Sequence, residues 1–512
     1  MQKIETESIA PMVAAVKDQV RHVLRSLPVA EVVALDRIEA LTRELAQRVS
    51  EGVFEAWTAV LEEVAISAAG SCTGCGCARF VKRRADAPME ISVLGLKVHV
   101  PKLYLECSCG EVGVSITRVL TGLSSGDKSG ELELKAAYSG SQHTYGKASL
   151  DLEVHHGQPV ERTAVRRMAL EVEKVVVEFA ENERREMLEQ AGEERRREGT
   201  AQLMQTGDGG MVRTGTLVAC VRGDPGYGEK TPKTGKPRRK RPTQYREIIN
   251  LDVREPGAMT GNALDVVVPS TAPKGERDRR MLALAMRKGL GDNTEMFGLG
   301  DMGSDLAASF DEAFMGRNPK AIYSADWKHT SDYAVNAGAV LQGRYPERWV
   351  AAMKDALWDR DRKKADRLIA SARARRVAEL PAHLQKCPVE ALATYVANNW
   401  DRFRAKEFKE RGLDWVSARA ESQVRDRIKS RHSVAGAWKE ENLEGKATLR
   451  AIIADGRWPR FRDHYLRTRR EKFAAGLETR LRAAVAQGRI QSNVLSTFGV
   501  SAANQEPLAA AA

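Results

Sequence analysis

Two aspartates follow apolar runs that the sequence predicts to be β-strands. Asp208 comes after residues 203–207 and Asp301 after residues 296–300, and both lead into glycine-containing turns. We expect the glycines around Asp208 to let a phosphate backbone approach its carboxylate. An aspartate in a glycine turn is by itself typical of an ordinary turn, so the prediction depends on the two being combined with further acids.

A third acid, Glu421, lies in a segment with helical periodicity. Arg425 and Lys429 follow it by four and eight residues, which places them on the same face of an ideal α-helix. In-line displacement at phosphorus uses two divalent cations about 4 Å apart, and Mg²⁺ prefers carboxylate oxygens. The sequence therefore predicts that Asp208, Asp301 and Glu421 hold Mg²⁺ or Mn²⁺, with Arg425 and Lys429 contacting DNA phosphates.

These motifs resemble those of the DDE transposases of bacterial insertion sequences, in particular the ISKra/ISLre-like group with a cysteine motif ahead of the catalytic domain. The Gly-Asp-Gly around Asp208 is similar to the first acidic motif of the family, Gly-Asp-Met-Gly around Asp301 to the second, and Ser-Ala-Arg-Ala-Glu-Ser around Glu421 to the third. Asp326 and His329, in Asp-Trp-Lys-His, resemble the strand end of the family with the pattern Asp-Phe/Trp-x-His.

The resemblance implies an RNase H-like catalytic core and a metal-dependent DNA transposase. Such an enzyme would cleave insertion-sequence ends and join the freed 3′-hydroxyl to target DNA by two-metal-ion phosphoryl transfer. Its partners would be double-stranded DNA at the element ends and the target, and synapsis would require a homo-oligomer. Asp326 and His329 would lie beside the site, where His329 could orient a phosphate or assist proton transfer.

Two other functions fit the same residues. If the three acids do not converge, the chain is a transposase-derived DNA-binding regulatory protein without catalysis. If they do converge, an RNase H-like nuclease without strand transfer would use the same metal site.

Four cysteines have the spacing of a zinc ribbon. Cys72 and Cys75 form the first pair, and Cys107 and Cys109 form the second, after a β-hairpin predicted to turn near Gly95. A structural Zn²⁺ site is the main interpretation, and a set of reduced thiols is the alternative. Cys77 adds a third thiol to the first pair, and the sequence leaves open whether it is a ligand.

Length and charge suggest a multi-domain protein with an anionic partner. The chain has 512 residues, a net charge of +12 and a pI near 9.3, which is compatible with nucleic acid or an anionic membrane surface. No apolar run reaches the length of a membrane span, and the polar N-terminus is unlike a signal peptide. We therefore expect a bacterial cytoplasmic protein associated with the nucleoid rather than with a membrane.

The proline- and glycine-containing stretch at 222–242 is strongly basic. It is predicted to be a flexible loop that binds DNA phosphates, although a solvated hairpin tip is the alternative. Its DNA-binding candidates are Lys236, Arg238, Arg239, Lys240 and Arg241.

The expected fold class is α+β and multi-domain. The predicted divisions are a helical N-terminal region at 1–68, a zinc-ribbon-like module at 69–120, a helix-turn-helix-like segment with a long helix at 130–199, the first part of the RNase H-like core at 200–332, a helical insertion at 333–412, the last part of the core at 413–490 and a tail at 491–512.

The long helix has a second interpretation. Val165, Met168, Val172, Val175 and Phe179 recur at coiled-coil-like steps, which favours a dimer seam, with a solvated connecting helix as the alternative.

Overall fold

The computed structural model describes residues 25, 35–72, 75–77, 80–109, 115–193, 199–215, 218–219, 239–240, 244–258, 261–302, 305–342, 346–376, 387–433 and 438–497. In these ranges the protein is α+β, with a mixed sheet and many helices. The chain divides into two compact units. The first comprises Met1–Leu132, Val154–Gln158 and Thr468–Ala512, and the second comprises Glu133–Glu153 and Pro159–Arg467. The finer sevenfold division stays a prediction.

The strands are β1 (Phe80–Val93), β2 (Leu96–Glu106), β3 (Gln202–Thr214), β4 (Val218–Ala219), β5 (Arg239–Lys240), β6 (Gln244–Arg254), β7 (Ala263–Val267), β8 (Glu295–Gly300) and β9 (Ile322–Ala325). The α-helices are α1 (Leu35–Ser67), α2 (Ile116–Thr121), α3 (Gly130–Gln142), α4 (Tyr145–His156), α5 (Arg162–Glu193), α6 (Glu276–Arg287), α7 (Leu306–Phe310), α8 (Trp327–Gly338), α9 (Pro346–Trp358), α10 (Arg362–Arg375), α11 (Pro388–Asn399), α12 (Ala405–Glu410), α13 (Ala418–Gln423), α14 (Ser430–His432), α15 (Leu443–Ala454), α16 (Trp458–Ala486) and α17 (Val494–Thr497). Two π-helical segments, Asp311–Met315 and Val424–Lys429, extend α7 and α13.

The first unit contains the β-hairpin that was predicted between the two cysteine pairs. Strands β1 and β2 pair antiparallel and turn at Gly95, whose φ of 78° is one that side chains rarely adopt, so the predicted hairpin is confirmed. Leu103 and Leu105 on β2 pack against Ile116 and Leu481. The end of β2 therefore presents Cys107 from a well-packed strand.

A five-stranded sheet forms the centre of the second unit. Its order is β7-β6-β3-β8-β9, in which β7, β6 and β3 are antiparallel while β8 and β9 run parallel to β3. The strands expected near 246–253 and 263–268 are confirmed as β6 and β7. The short pair β4 and β5 forms a separate two-residue ladder.

Helices cover both faces of this sheet because its strands alternate apolar residues toward each side. On one face, Leu203 and Leu251 pack against Met281 of α6 and Phe310 of α7. On the opposite face, the residues from the sheet and the helices above it are Met204, Val212, Ile248, Phe297, Phe408, Val424 and Ile428. The second face is the one on which Asp208 lies, as described below.

The segment between β9 and α13 is helical, as predicted for the insertion. Helices α8 to α11 share a core that includes Trp349, Leu357, Ile369 and Tyr395. The insertion therefore has its own hydrophobic core.

The dimer-seam interpretation of the long helix is wrong. On α5, Val172 and Phe179 are buried against Leu449 and Phe461 of the same chain, so this face is already occupied. The two helices and the turn predicted for a helix-turn-helix are present as α4 and the start of α5, with Gly157 at φ 61° between them. Whether they bind DNA stays a prediction. Within the described residues, no helix is both long and apolar enough to cross a bilayer.

Candidate functional site

Asp208 lies within β3, and Asp301 directly follows the neighbouring strand β8. Strands β3 and β8 are parallel, with Thr206 opposite Leu299 as the last pair of the ladder. Asp208 and Asp301 are each two residues beyond that last pair, Asp208 still within β3 and Asp301 just after the end of β8. The two aspartates therefore come from two adjacent parallel strands of one sheet, or, for Asp301, from the residue that follows its strand, and whether they share a metal stays a prediction.

Asp208 lies inside β3 and the glycines after it continue the strand, so the predicted strand end and glycine turn at Asp208 are wrong. A Cβ on Gly209 would lie 2.0 Å from Oε1 of Glu247, and one on Gly210 would lie 2.9 Å from Cγ1 of Val424. Val424 begins the π-helical segment that follows Glu421. Gly210 therefore lets the helix that carries the third acid approach the strand that carries the first.

A buried amide fixes that helix to the sheet. Gln423 accepts a hydrogen bond from Nδ2 of Asn250 at 2.8 Å and donates one from Nε2 to Asp252 at 2.7 Å. Asn250 is the cross-strand partner of Asp208. Glu421, two residues before Gln423, is thus carried by a short helix that is bonded to the strand directly beside Asp208.

The same polar network continues along β6. Arg254 is fully buried and donates hydrogen bonds to Asp252 at 2.7 Å and to Thr206 at 3.1 Å, and it also contacts Asp414. A buried guanidinium needs such partners because an unpaired buried charge is costly. The network ties the loop before α13 to the central strands.

Asp326 joins three parts of the site. Its carboxylate is fully buried and accepts hydrogen bonds from the backbone N–H of Ser417 at 2.8 Å, from the backbone N–H of His329 at 3.0 Å and from Nδ1 of His329 at 2.6 Å. Asp326 follows β9 and caps α8, while Ser417 precedes the helix of Glu421. One carboxylate therefore connects residues that are 91 positions apart, on the two sides of the helical insertion.

His329 is a cation among carboxylates. The hydrogen bond to Asp326 raises the pKa of His329 to about 9, and the negative charges of Asp301 and Glu421 contribute to this rise. Burial raises the pKa of Asp208, and the charge of Glu421 raises it further, while His329 and Lys429 oppose that rise. Asp301 and Glu421 therefore lie close enough to His329 to affect its pKa, and Glu421 and His329 lie close enough to Asp208 to affect the pKa of that residue.

The three acids are more widely spaced than the ligands of a one-ion cage. Among the described residues, the group of potential ligands whose atoms all lie within 4.8 Å of one another consists of cysteines. Two cations about 4 Å apart require a wider set of oxygens than one cation does. Asp208, Asp301 and Glu421 carry the carboxylate oxygens that hard cations prefer but do not form such a close group, so the binding of Mg²⁺ or Mn²⁺ stays a prediction.

The helix of the third acid departs from ideal α-helical geometry. Val424–Lys429 is π-helical, so the ideal α-helical spacing behind the prediction does not apply there, and a shared face for Glu421, Arg425 and Lys429 stays a prediction. Arg425 is exposed and bonded to Ser422 and Asp426, whereas Lys429 lies near enough to lower the pKa of Asp208.

The other predicted DNA contacts are less well defined. Arg239 and Lys240 form β5, while Lys236, Arg238 and Arg241 lie outside the described residues. A cation that the sequence reasoning missed is Lys328, which is exposed with its Nζ 4.0 Å from Oε1 of Glu421. It directly precedes His329, so the motif could have indicated it.

The polar residues of β6 were also missed. Asn250, Asp252 and Arg254 alternate along the strand and are all buried. Such alternation in an otherwise apolar strand is a sequence signal for a polar network on one face of a sheet. Gln423 had no comparable signal because its partners come from a distant segment.

The predicted zinc ligands do form a cluster. The Sγ atoms of Cys72, Cys75, Cys107 and Cys109 all lie within 4.8 Å of one another, with 3.5 Å between Cys72 and Cys109 and 3.4 Å between Cys75 and Cys107. Thiolates on one tetrahedral zinc with bonds of about 2.3 Å are about 3.8 Å apart, so this set is compatible with a zinc site. Hydrogen bonds from Cys77 and Cys109 lower the pKa of Cys107 to about 6, which favours the thiolate form that binds metal.

Comparison with known proteins adds no identification. No protein-family model and no curated protein matches this chain.

Proposed function

We propose that this protein is a metal-dependent DNA transposase that cleaves insertion-sequence ends and joins the freed 3′-hydroxyl to target DNA. The observation that supports the proposal is the parallel register of β3 and β8, whose last pair, Thr206 and Leu299, lies two residues before Asp208 and Asp301. The helix of Glu421 is bonded to the strand beside them through Gln423. Three carboxylates from three separate elements can serve phosphoryl transfer in this way.

The order of the strands supports an RNase H-like core. Three antiparallel strands precede two strands that are parallel to the first, and the first acid lies on the central strand. The second acid follows the fourth strand, and the third lies on a later helix. This arrangement is the one implied by the resemblance to DDE transposases.

The residues divide the chemical work among them. The metal ligands would be Asp208, Asp301 and Glu421. Bound Mg²⁺ or Mn²⁺ would activate the attacking oxygen and stabilise the leaving oxygen. Water, losing a proton, would attack phosphorus at the element end, and the 3′-oxygen would leave and take up a proton. The resulting 3′-hydroxyl would then lose its proton, attack a target phosphate and displace the 3′-oxygen of the target strand, which leaves as a hydroxyl. His329, kept protonated by Asp326, is suited to donate a hydrogen bond to a phosphate oxygen.

The charge of the chain supports double-stranded DNA as the partner. A net charge of +12 favours a polyanion, and Lys328 and Lys429 bring positive charge close to the acids. Two element ends must be held together in transposition, so the proposal includes a homo-oligomer.

The test is Mg²⁺-dependent cleavage and joining of DNA that carries the ends of the source element. We expect the native protein to cut and join, and Asp301→Ala to lose both reactions by at least about 1,000-fold. Asp332→Asn is the matched control, because Asp332 lies on α8 and pairs with Lys328 but is not one of the acids. Its activity should stay within about threefold of native.

The same assay separates the other two functions. Cutting without joining would support the nuclease. Binding of the ends with neither reaction would support the regulatory protein. Full activity of Asp301→Ala would contradict the site.

A further inference from the structure

The zinc cluster contains more thiols than one zinc ion can bind. Besides the four cysteines that lie within 4.8 Å of one another, Cys77 has its Sγ 2.9 Å from that of Cys75 and 2.9 Å from that of Cys107. A structural zinc takes four ligands in a tetrahedron. One of the five thiols must therefore remain unbound.

The turn that holds the first cysteines explains this crowding. The N–H of Gly76 donates to the carbonyl of Cys72 at 2.9 Å, and the N–H of Cys72 donates to the carbonyl of Cys77 at 2.9 Å. Gly76 has a φ of 71°, which few other residues adopt without strain. This closed turn brings the thiols on the two sides of Gly76 together.

Cys75 and Cys77 both contact Cys107, although only Cys75 belongs to the group of four whose thiols all lie within 4.8 Å of one another. Both thiols contact Cys107, at 3.4 Å and 2.9 Å, and both side chains are exposed, whereas Cys72 and Cys107 are buried. The Cys75–Cys77 separation and the Cys77–Cys107 separation, both 2.9 Å, are well below the spacing of about 3.8 Å for two thiolates on one zinc, so Cys77 binds the metal only after its thiol moves away from both. The turn therefore favours one of them as a ligand at a time.

We propose that Cys75 and Cys77 are interchangeable fourth ligands of one zinc ion, which Cys72, Cys107 and Cys109 hold permanently. The unbound thiol of the pair stays beside the metal and can replace its neighbour by ligand exchange. Zinc is then retained when either thiol is lost to alkylation or substitution. This inference concerns the cysteine cluster alone and does not depend on the transposase proposal.

Metal affinity of serine variants of the full chain tests the proposal. Cys75→Ser and Cys77→Ser should each bind one Zn²⁺ with an affinity within about threefold of native, and Co²⁺ in each should show the absorption of four thiolate ligands. The double variant should bind at least about 100-fold more weakly and lose one thiolate from the Co²⁺ spectrum. The control is Cys387→Ser, which is remote from the cluster in sequence. It should have the Zn²⁺ affinity and the Co²⁺ spectrum of the native protein.

Alkylation of the native zinc-loaded protein is a second test. It uses no variant, so misfolding of a variant cannot affect its result. Limiting iodoacetamide followed by peptide mass spectrometry should modify one thiol of the cluster per chain, divided between Cys75 and Cys77, while the other three stay protected. Modification confined to Cys77, together with a 100-fold loss of affinity in Cys75→Ser, would overturn the proposal. Native affinity in the double variant would also overturn it.

Discussion

Asp326 determines much of the geometry of the site at the scale of single residues. It is fully buried, yet it stays ionised because His329 and the N–H of Ser417 hold its two oxygens. The hydrogen bonds from His329 lower the pKa of Asp326 against the effect of burial, and in return Asp326 raises the pKa of His329 to about 9. The pair therefore keeps an imidazolium beside the carboxylates throughout the neutral range.

Titration of His329 by NMR checks this pair. We expect a midpoint near pH 9 in the native protein, identified by its loss in His329→Gln, and a fall toward 6.5 in Asp326→Asn, because the amide cannot stabilise the positive charge. His432 is an internal control, since burial lowers its pKa to about 3 and it should not titrate in this window. A native midpoint near 6.5 would contradict the pair.

The same shift makes stability depend on pH. The folded pKa of His329 lies above its ordinary value of about 6.5, so the stabilisation is fully present below pH 6.5 and is lost as the pH rises through about 9. Urea unfolding between pH 6 and 10 should show this loss in the native protein and a smaller one in His329→Gln. If the free energy of unfolding depended on pH equally in the two proteins, protonated His329 would not contribute to stability.

At the scale of elements, the helix of Glu421 depends on a glycine in the strand beneath it. Gly210→Ala places a Cβ 2.9 Å from Val424 and 3.2 Å from Ile428, both packed in the core. We expect a destabilisation of about 1–3 kcal/mol from overpacking and a large loss of activity as Glu421 is displaced. Thermal unfolding and the cleavage assay measure the two effects.

Gly209→Ala is the matched control for this substitution. Its Cβ would meet the carboxylate end of Glu247, a flexible side chain that can turn away. The control should therefore lose less stability than Gly210→Ala and retain most of the activity. Equal losses in the two variants would show that Val424 does not limit the approach of the helix.

The sequence predicted the elements better than it predicted the contacts between them. The hairpin around Gly95 and strands β6 and β7 followed from alternation and turn residues, which act over short distances. The bond from Gln423 to Asn250 and the π-helical turn after Glu421 could not be predicted, because they depend on packing across more than 170 residues. The prediction of a dimer seam on α5 was wrong for the same reason, because an apolar stripe in the sequence does not reveal which surface packs against it.

At the scale of the whole molecule, the two units should respond differently to zinc removal. The cysteine cluster closes the end of the β1–β2 hairpin in the first unit, and structural zinc sites contribute directly to folding. Hydrogen exchange after chelation should show faster exchange in Leu96–Glu106, with Gln202–Thr214 unchanged. Unchanged exchange in the hairpin would contradict a structural role for the metal.

The basic segment around β5 predicts the salt dependence of DNA binding. We expect replacement of Arg239, Lys240 and Arg241 with Gln to make DNA binding less dependent on salt. The slope of the logarithm of the DNA association constant against the logarithm of salt concentration should fall in magnitude by about 2 to 3, because each phosphate contact contributes about 0.9. Replacing Lys363, Lys364 and Arg367 on α10, an equal change in charge, is the control and should leave the slope nearly unchanged. Equal slopes in the two variants would remove this segment from the DNA interface.

Mn²⁺ binding followed by electron paramagnetic resonance tests most directly whether the three acids form one metal site. It needs no knowledge of the DNA sequence, and the zinc-loaded native protein is compared with Asp301→Asn, Glu421→Gln and the control Asp332→Asn. We expect the native protein and the control to bind Mn²⁺ with the same affinity, and each of the other variants to bind it at least about 10-fold more weakly. Unchanged binding in both Asp301→Asn and Glu421→Gln would contradict a shared metal site and the phosphoryl-transfer function that rests on it.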